Sequence, residues 1–297
     1  MNSKFYYDDI TLDRAHHLRK DDRWLSSDLK HASVQIIPVW QNQSLIYSKD
    51  VADKQPRAAI LSGDAATIVR KNTKTIVFLG IVNDAIFCAA DLSHIKDPYT
   101  TIIPKGAVFE DLRRLATTLN PIEAGYLAYA RALIYWHQGN KFCGTCGYQT
   151  QSNRGGHERI CLNPKCGKSH FPRTDPAVIM LVTHPTEDKC LLGHNKKFHG
   201  LRFSTIAGFV EPGEMLEQAV AREVFEETNI RVKEVIYKAS QPWPFPASIM
   251  LGFRAQAVTT EIICHDEELA EAKWFSRDEV LRMSLKHEML PPTKLSI

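Results

Sequence analysis

The sequence predicts an α+β protein built in consecutive parts, and three observations carry the prediction. Short β-like runs separated by turn residues fill much of both halves of the chain. A cysteine-rich stretch at 142–170 is too small and too polar to hold a core of its own. One long helical pattern at 213–228 is flanked by strand-like runs on both sides. The predicted divisions are an N-terminal mixed-sheet domain at 1–105, a helical connector at 106–138, a four-cysteine segment at 139–172 and a C-terminal α+β domain at 173–297.

The N-terminal strands are predicted at "SVQIIPVW" (33–40), "SLIYS" (44–48), "TIVFLGI" (75–81) and "AIFCAA" (85–90), where β-branched and aromatic residues run between polar turns. From Phe109 the pattern turns helical, first "FEDLRRLATTL" and then "PIEAGYLAYARALIYWHQ", with Pro121 after Asn120 as a helix start. These helices are expected to bridge the two halves. Beyond the cysteines, "DPAVIMLVTH" (175–184), "KCLLGHN" (189–195) and "RFSTIAGFV" (202–210) precede the 213–228 helix. "IRVKEVIYKAS" (230–240), "SIMLGFRAQAV" (248–258) and "EAKWFSRDEVLRM" (271–283) follow it. No segment repeats at a fixed period.

Composition narrows the function classes. With 297 residues, 44% hydrophobic and 24% charged, the chain has the make-up of a globular protein and length for two domains or more. A formal charge of +3 is too slight to define a nucleic-acid or membrane surface, though it suits an anionic substrate. No apolar run approaches the roughly 18 residues of a membrane span. "MNSKFYYDDITLD" holds no apolar signal core, so a soluble, intracellular and cytoplasmic protein is expected. Seven cysteines, an odd number, argue against a secreted disulfide scaffold.

Four of those cysteines form two knuckles, Cys143 and Cys146 in "FCGTCG" and Cys161 and Cys166 in "CLNPKCG". Four thiolates in two pairs suit a closed, tetrahedral and therefore structural zinc site. A redox pair is a poorer fit, because the second pair is C-x4-C and no βαβ unit surrounds the first. Such knuckles also bind nucleic acid, so Arg154, Arg159, Lys165 and Lys168 form an alternative phosphate-facing set. Cys88, Cys190 and Cys264 lie in apolar runs and read as small buried hydrophobes.

The helix carries the chemistry. At about 100° per residue, Leu216, Val220, Glu223 and Glu227 share one stripe, with Glu226 beside it. Glutamates ordinarily occupy the solvated face of a helix. Here they continue a core-facing stripe, where carboxylates repel one another and lose hydration unless a cation sits among them. Oxygen donors without histidine or cysteine point to Mg2+ or Mn2+.

The stretch "GFVEPGEMLEQAVAREVFEETNI" (208–230) resembles the signature of the Nudix hydrolases, G-x5-E-x7-R-E-apolar-x-E-E-x-G-apolar. Gly208, Glu214, Arg222, Glu223, Val224, Glu226, Glu227 and Ile230 match it, and Asn229 stands where the signature has glycine. The segment "SQPWPFPAS" (240–248), with four cysteines placed just before the box domain, is similar to the NADH pyrophosphatase branch of that family.

The resemblance implies a C-terminal Nudix αβα sandwich preceded by a zinc ribbon and the N-terminal sheet domain. It implies hydrolysis of the pyrophosphate of NADH or NAD+ to nicotinamide mononucleotide and AMP, with Mg2+ or Mn2+, by a homodimer. Removal of NAD caps from RNA is associated with the same branch. Glu223 and Glu227 would then be metal ligands, Glu226 a ligand of a further metal, and the carbonyl of Ala207 would complete a metal site. Matching the family at Trp274 places a fourth carboxylate at Glu268, with Glu271 nearby; Glu227 or Glu268 would be the general base. Gly208, Glu214 and Arg222 would shape the box. Gln241, Pro242, Trp243, Pro244, Phe245, Pro246, Ala247 and Ser248 would receive the dinucleotide, on a backbone stiffened by prolines. Phe171 would stack on a base, and Arg113 or Arg114 would reach a phosphate. A relic box acting only as a binding module would have lost its carboxylates, and all remain. The chain stops at "LPPTKLSI", where relatives are expected to continue into a short helix, and it lacks a terminal "SKL".

Overall fold

The computed structural model describes residues 7, 11–28, 34–48, 55–115, 118–197, 200, 202–264 and 268–286; of 22, 26 and 284–286 only the backbone is described. The chain divides into two compact units, one of residues 1–173 with Pro244–Ala247 and one of 174–243 with 248–297.

In the first unit, a short helix α1 (Asp22–Asp28) precedes strands β1 (Val34–Trp40), β2 (Gln43–Tyr47) and β3 (Arg57–Ala58). Helix α2 (Gly63–Asn72), strands β4 (Thr75–Val82), β5 (Ala85–Asp91) and β6 (Ala107–Glu110), and helices α3 (Leu112–Leu115) and α4 (Pro121–Gly139) follow. The sheet runs β3-β2-β1-β5-β4, with β6 also paired to β2. β1 lies parallel to β5, from Val34 opposite Ile86 to Val39 opposite Asp91, and the remaining pairs are antiparallel. Alternate residues Val34, Ile36, Cys88 and Ala90 join Ala66 and Val69 of α2 in one core. α4 packs against β1, β4 and β5.

Two sequence expectations change here. Phe109 is in a strand and not a helix, because pairing with Leu45 outweighs the helical composition of "FEDLRRL". α4, expected to link two halves, packs on the first sheet, and its apolar length is explained by that burial: Leu127, Ala130 and Ile134 are fully buried. Its start is as read, with Asn120 Oδ1 accepting the Ile122 N–H at 2.9 Å and Pro121 in the first turn.

A three-stranded sheet completes the unit, β7 (Thr150–Asn153), β8 (Glu158–Cys161) and β9 (Ser169–His170). Two histidines tie it to the larger sheet. His137 of α4 donates from Nε2 to Gly156 O at 2.8 Å and accepts at Nδ1 from Arg159 at 2.9 Å. His157 donates to Phe78 O of β4 at 2.7 Å. His137 must stay neutral to accept from Arg159, and burial pulls both imidazoles down to about 4. Because each folded value lies below the unfolded value near 6.5, their contribution is complete above pH 6.5. It is lost as pH falls towards 4, by up to about 1.4 kcal/mol per pH unit for each histidine. Urea midpoints at pH 7 and 5 should therefore differ, and His157→Gln should flatten the difference; equal midpoints for the parent protein, with bound metal unchanged, would contradict this.

The second unit repeats the topology. β10 (Asp175–Thr183), β11 (Lys189–Asn195), β12 (Ile206–Phe209), helix α5 (Leu216–Thr228), β13 (Val232–Trp243), β14 (Ser248–Ala257), β15 (Leu269–Ser276) and α6 (Arg277–Lys286) follow in order. The sheet runs β13-β14-β10-β11-β15 with β12 on β10, and β10 is parallel to β14 as β1 is to β5. β15 pairs with β11 as β6 pairs with β2. α5 covers one face through Ala219, Val220 and Val224 on Val178, Met180, Phe253 and Ala255. Leu192 and Phe275 turn to the other face, where Val280 and Met283 of α6 meet them. This is the expected αβα sandwich.

Helix α5 begins at Leu216, three residues later than the sequence suggests, because Gly213 (φ +86°) closes a turn there. It ends at Asn229, left-handed at φ +61°, whose N–H bonds to Phe225 O at 2.8 Å. The cap expected from the sequence thus forms with asparagine in place of glycine. Asn229→Gly should raise stability by roughly 0.5 kcal/mol and Asn229→Ala lower it by about 1 kcal/mol, since a Cβ is costly in this conformation. Denaturant midpoints in the opposite order would refute the assignment.

Candidate active site and zinc centre

The geometry of the box starts from close approach. Strand β12 places Ala207 and Gly208 opposite Ile179 and Val178 of β10, and α5 packs across β12. The Glu223 carboxylate lies directly on Gly208, where any Cβ would overlap its Cδ and both oxygens. Glycine leaves this space to the carboxylate, which any side chain at 208 would displace. Ala207, immediately before it, is exposed.

Arg222 organises the rest. It donates from Nε to Glu214 Oε1 at 2.8 Å and from a terminal nitrogen to Glu214 Oε2 at 3.0 Å. It also reaches Glu223 at 2.9 Å, Glu226 at 3.0 Å and Phe209 O at 2.9 Å. Glu214 in turn accepts the Glu211 N–H at 3.0 Å, which fixes the turn before the helix. The Arg222 guanidinium holds the Glu214 carboxyl below its usual range. Arg222 itself is held firmly protonated by these acids, Glu214 first.

The inward stripe predicted for the helix is present: Glu227 is 5% exposed and Glu223 is half-buried, while Glu226 is exposed. Burial raises the Glu223 pKa, and the charges of Glu226 and Glu268 raise it further against the pull of Arg222. Carboxylates in the last turn of a helix also oppose the helix dipole. At the corresponding end α2 carries Arg70 and Lys71, so the first unit keeps the fold and reverses the charge. This excess of buried negative charge is what a divalent cation would relieve.

Glu268 stands just before β15. Its Oε1 accepts from Asn195 Nδ2 at 3.0 Å and its carbonyl accepts the Lys196 N–H. Asn195 carries no motif signal in the sequence; its place at the end of β11, facing β15, is visible only in the sheet. Glu271 is ion-paired with Lys273 at 2.6 Å. Residues 265–267 of the acidic run, and the C-terminal "LPPTKLSI", lie outside the described residues.

The segment 240–248 forms the end of the β13–β14 hairpin, with Trp243 opposite Ser248. Pro242 and Pro246 are exposed and Trp243 and Ala247 half-buried, whereas Gln241, Pro244, Phe245 and Ser248 are buried. Phe245 does not offer a free face in this chain. The guanidinium carbons of Arg113 and Arg131 lie 4.8 and 5.1 Å from its ring centre, and Tyr7 meets it edge-on. Phe171 is 45% exposed. Arg113 touches this hairpin end; for Arg114 no such contact is seen.

The four cysteines converge, with their sulfur atoms within 4.8 Å of one another. Cys143 to Cys166 is 3.9 Å and Cys146 to Cys161 is 3.4 Å. A zinc–sulfur tetrahedron with bonds near 2.3 Å has edges of about 3.8 Å, so the donor set fits zinc. Gly147 (φ +73°) and Gly167 (φ +54°) make the left-handed turn after each knuckle. The Thr145 N–H aimed at Cys143 Sγ at 3.4 Å helps pull that thiol down to about 5. Among the described residues this is the one cluster gathered so tightly; the glutamates of the box are spread more widely.

The phosphate-facing alternative loses two of its four cations. Arg159 is buried, donating to Thr150 and His137, and Arg154 is paired with Glu158 at 3.0 Å. Of the remaining cysteines, Cys88 is fully buried, its thiol pushed up to about 12 by desolvation, and Cys190 and Cys264 are half-buried.

Three family profiles match in series: an NADH pyrophosphatase-like rudimentary NUDIX domain over 33–136, an NADH pyrophosphatase zinc ribbon domain over 140–171 and a NUDIX domain over 173–295. The chain is 41% identical over 225 residues to the NAD-capped RNA hydrolase NudC of Mycobacterium bovis, covering 74% of this chain and 69% of that one. It is 45% identical over 182 residues to the human NAD-capped RNA hydrolase NUDT12, covering 58% of this chain and 39% of the relative. Over 152 residues it is 45% identical to NudC of Pseudomonas aeruginosa, covering 51% and 53%. The chain thus spans between about two fifths and two thirds of the relatives it matches. The glycine-seated carboxylate, the four thiolates and these three profiles in order establish that the chain belongs to the Nudix hydrolase family, in its NADH pyrophosphatase branch.

Proposed function

We propose that the chain hydrolyses the central pyrophosphate bond of NADH or NAD+ to nicotinamide mononucleotide and AMP, using Mg2+ or Mn2+, as a cytoplasmic homodimer. The observation that carries this reading is the Glu223 carboxylate seated on Gly208, with its pKa raised by burial and by Glu226 and Glu268. Glu223 and Glu227 would hold the cation through their carboxylates, with Ala207 O completing the set and Glu226 serving a further ion. Bound there, a divalent cation neutralises the phosphates and lowers the pKa of a water.

Glu227 or Glu268 accepts the proton of the attacking water. The water oxygen bonds to one phosphorus while the bridging oxygen leaves with the other phosphate, so one water is consumed and two monophosphates form. Asn195 orients Glu268 for this. Arg222, spent on Glu214, Glu223, Glu226 and Phe209 O, shapes the site and does not touch the reacting atoms. Pro242, Pro246 and Phe171 are the exposed members of the substrate set, Trp243 and Ala247 are half-buried, and Gln241, Pro244, Phe245 and Ser248 hold its shape.

Removal of NAD caps from RNA is the second reading, favoured by the names of the relatives, and it uses the same bond and the same residues. The test is kcat/KM across NADH, NAD+, ADP-ribose and NAD-capped RNA. A measurable value for a dinucleotide supports the reading, and no turnover of any of the four removes it. For the capped RNA, affinity that falls steeply with salt is expected; affinity indifferent to salt and no better than for NAD+ would dismiss the second reading.

A further inference from the structure

Arg131 is an unusual cation. It lies in the middle of α4, in the otherwise apolar run "GYLAYARALIYW", and is only 9% exposed. No carboxylate within ion-pair distance is found for it among the described residues; its guanidinium is satisfied by main-chain carbonyls. Nε donates to Asn42 O at 2.9 Å, in the turn between β1 and β2. One terminal nitrogen donates to Pro244 O and also lies 3.4 Å from Pro246 O. The same guanidinium faces the ring of Phe245, the residue between those two prolines. Burial lowers the Arg131 pKa, and Asp111 and Arg113 act on it with opposite signs.

A buried charge without a counter-ion is costly, and only good hydrogen bonds offset that cost. Prolines supply no N–H, so within 242–246 only Trp243 and Phe245 can donate from the main chain, and the Pro244 and Pro246 carbonyls are acceptors that need donors from elsewhere. A planar fork of donors from outside the segment answers that requirement, which an ammonium does poorly.

We propose that Arg131 is the positioning residue of the 242–248 segment. It holds the Pro244 and Pro246 carbonyls and the Phe245 ring so that Trp243 and Pro246 stand where a dinucleotide meets them. The substrate half of this inference rests on the dinucleotide reading above; the hold on the segment does not.

The test compares the parent protein with Arg131→Lys and Arg131→Gln by steady-state kinetics on NADH and by amide exchange of the full chain, with metal content measured on each. Expected in both variants is a KM raised ten- to a hundredfold with kcat within about twofold, as for a misplaced binding element. Exchange should quicken at Trp243, Phe245, Ala247 and Ser248 while the strands of the first sheet keep their protection. Unchanged KM together with unchanged exchange in the segment would overturn the inference. Equal loss of protection throughout the first unit would also overturn it, reducing Arg131 to a fold-stability role. If the parent protein turns over no dinucleotide, the functional reading fails, and exchange alone decides whether Arg131 holds the segment.

Discussion

Glu227→Gln is expected to lower kcat by about 10²- to 10⁴-fold with little change in fold, the range for loss of a group that handles a proton or a charge in the transition state. Glutamine keeps the volume of a side chain that is 5% exposed while removing its charge and turning one acceptor oxygen into a donor. Glu223→Gln should show the same loss of rate with a second, opposite signature. Because the Glu223 carboxyl is pushed up by burial and by neighbouring acids, its charge destabilises the metal-free protein at neutral pH. Removing that charge should leave the metal-free protein as stable as the parent or more so, and should diminish the stabilisation that Mn2+ gives the parent. A variant that loses stability without metal, or keeps full turnover, would mean that Glu223 is a structural carboxylate held by Arg222.

The second large effect concerns zinc. Cys146→Ser, or extraction of the metal, should unfold residues 142–170 and cost on the order of several kcal/mol, because a ribbon of this size is held mainly by its ion. Cys143 and Cys161 are buried, so uncompensated thiols would also be left in the interior. The effect should reach beyond the ribbon, since His137 of α4 bonds to Gly156 and His157 bonds to Phe78 of β4, fastening the ribbon to both. Metal content by mass spectrometry and amide exchange over 142–170 measure it. A variant with stoichiometric zinc and unchanged protection would contradict the assignment of Cys146 as a ligand.

Much of the site was legible because its signals are local. The glutamate stripe, the knuckle spacing and the left-handed Asn229 all follow from residue order along one helix or one turn. What was not legible depends on partners far away in the chain. Strand β6 looks helical until Phe109 finds Leu45. Helix α2, ten residues with Ala66 and Val69 as its buried members, is too short and too weakly patterned to stand out. The repeat of topology between β1–β6 and β10–β15 has no sequence period behind it, since packing positions tolerate any residue of suitable size while the box glutamates are present only in the second copy. Phe245 reads as one of the residues that would receive the dinucleotide, and its enclosure by Arg113, Arg131 and Tyr7 is a tertiary fact.

The measurement that bears most directly on the account is product chromatography after incubating the protein with NADH and Mn2+ or Mg2+, beside a chelator control and Glu227→Gln. AMP and reduced nicotinamide mononucleotide are expected in equal amounts, absent with chelator and nearly absent with the variant. Intact NADH throughout, with folded and zinc-loaded protein, or the same products formed equally well without a divalent cation, would contradict it.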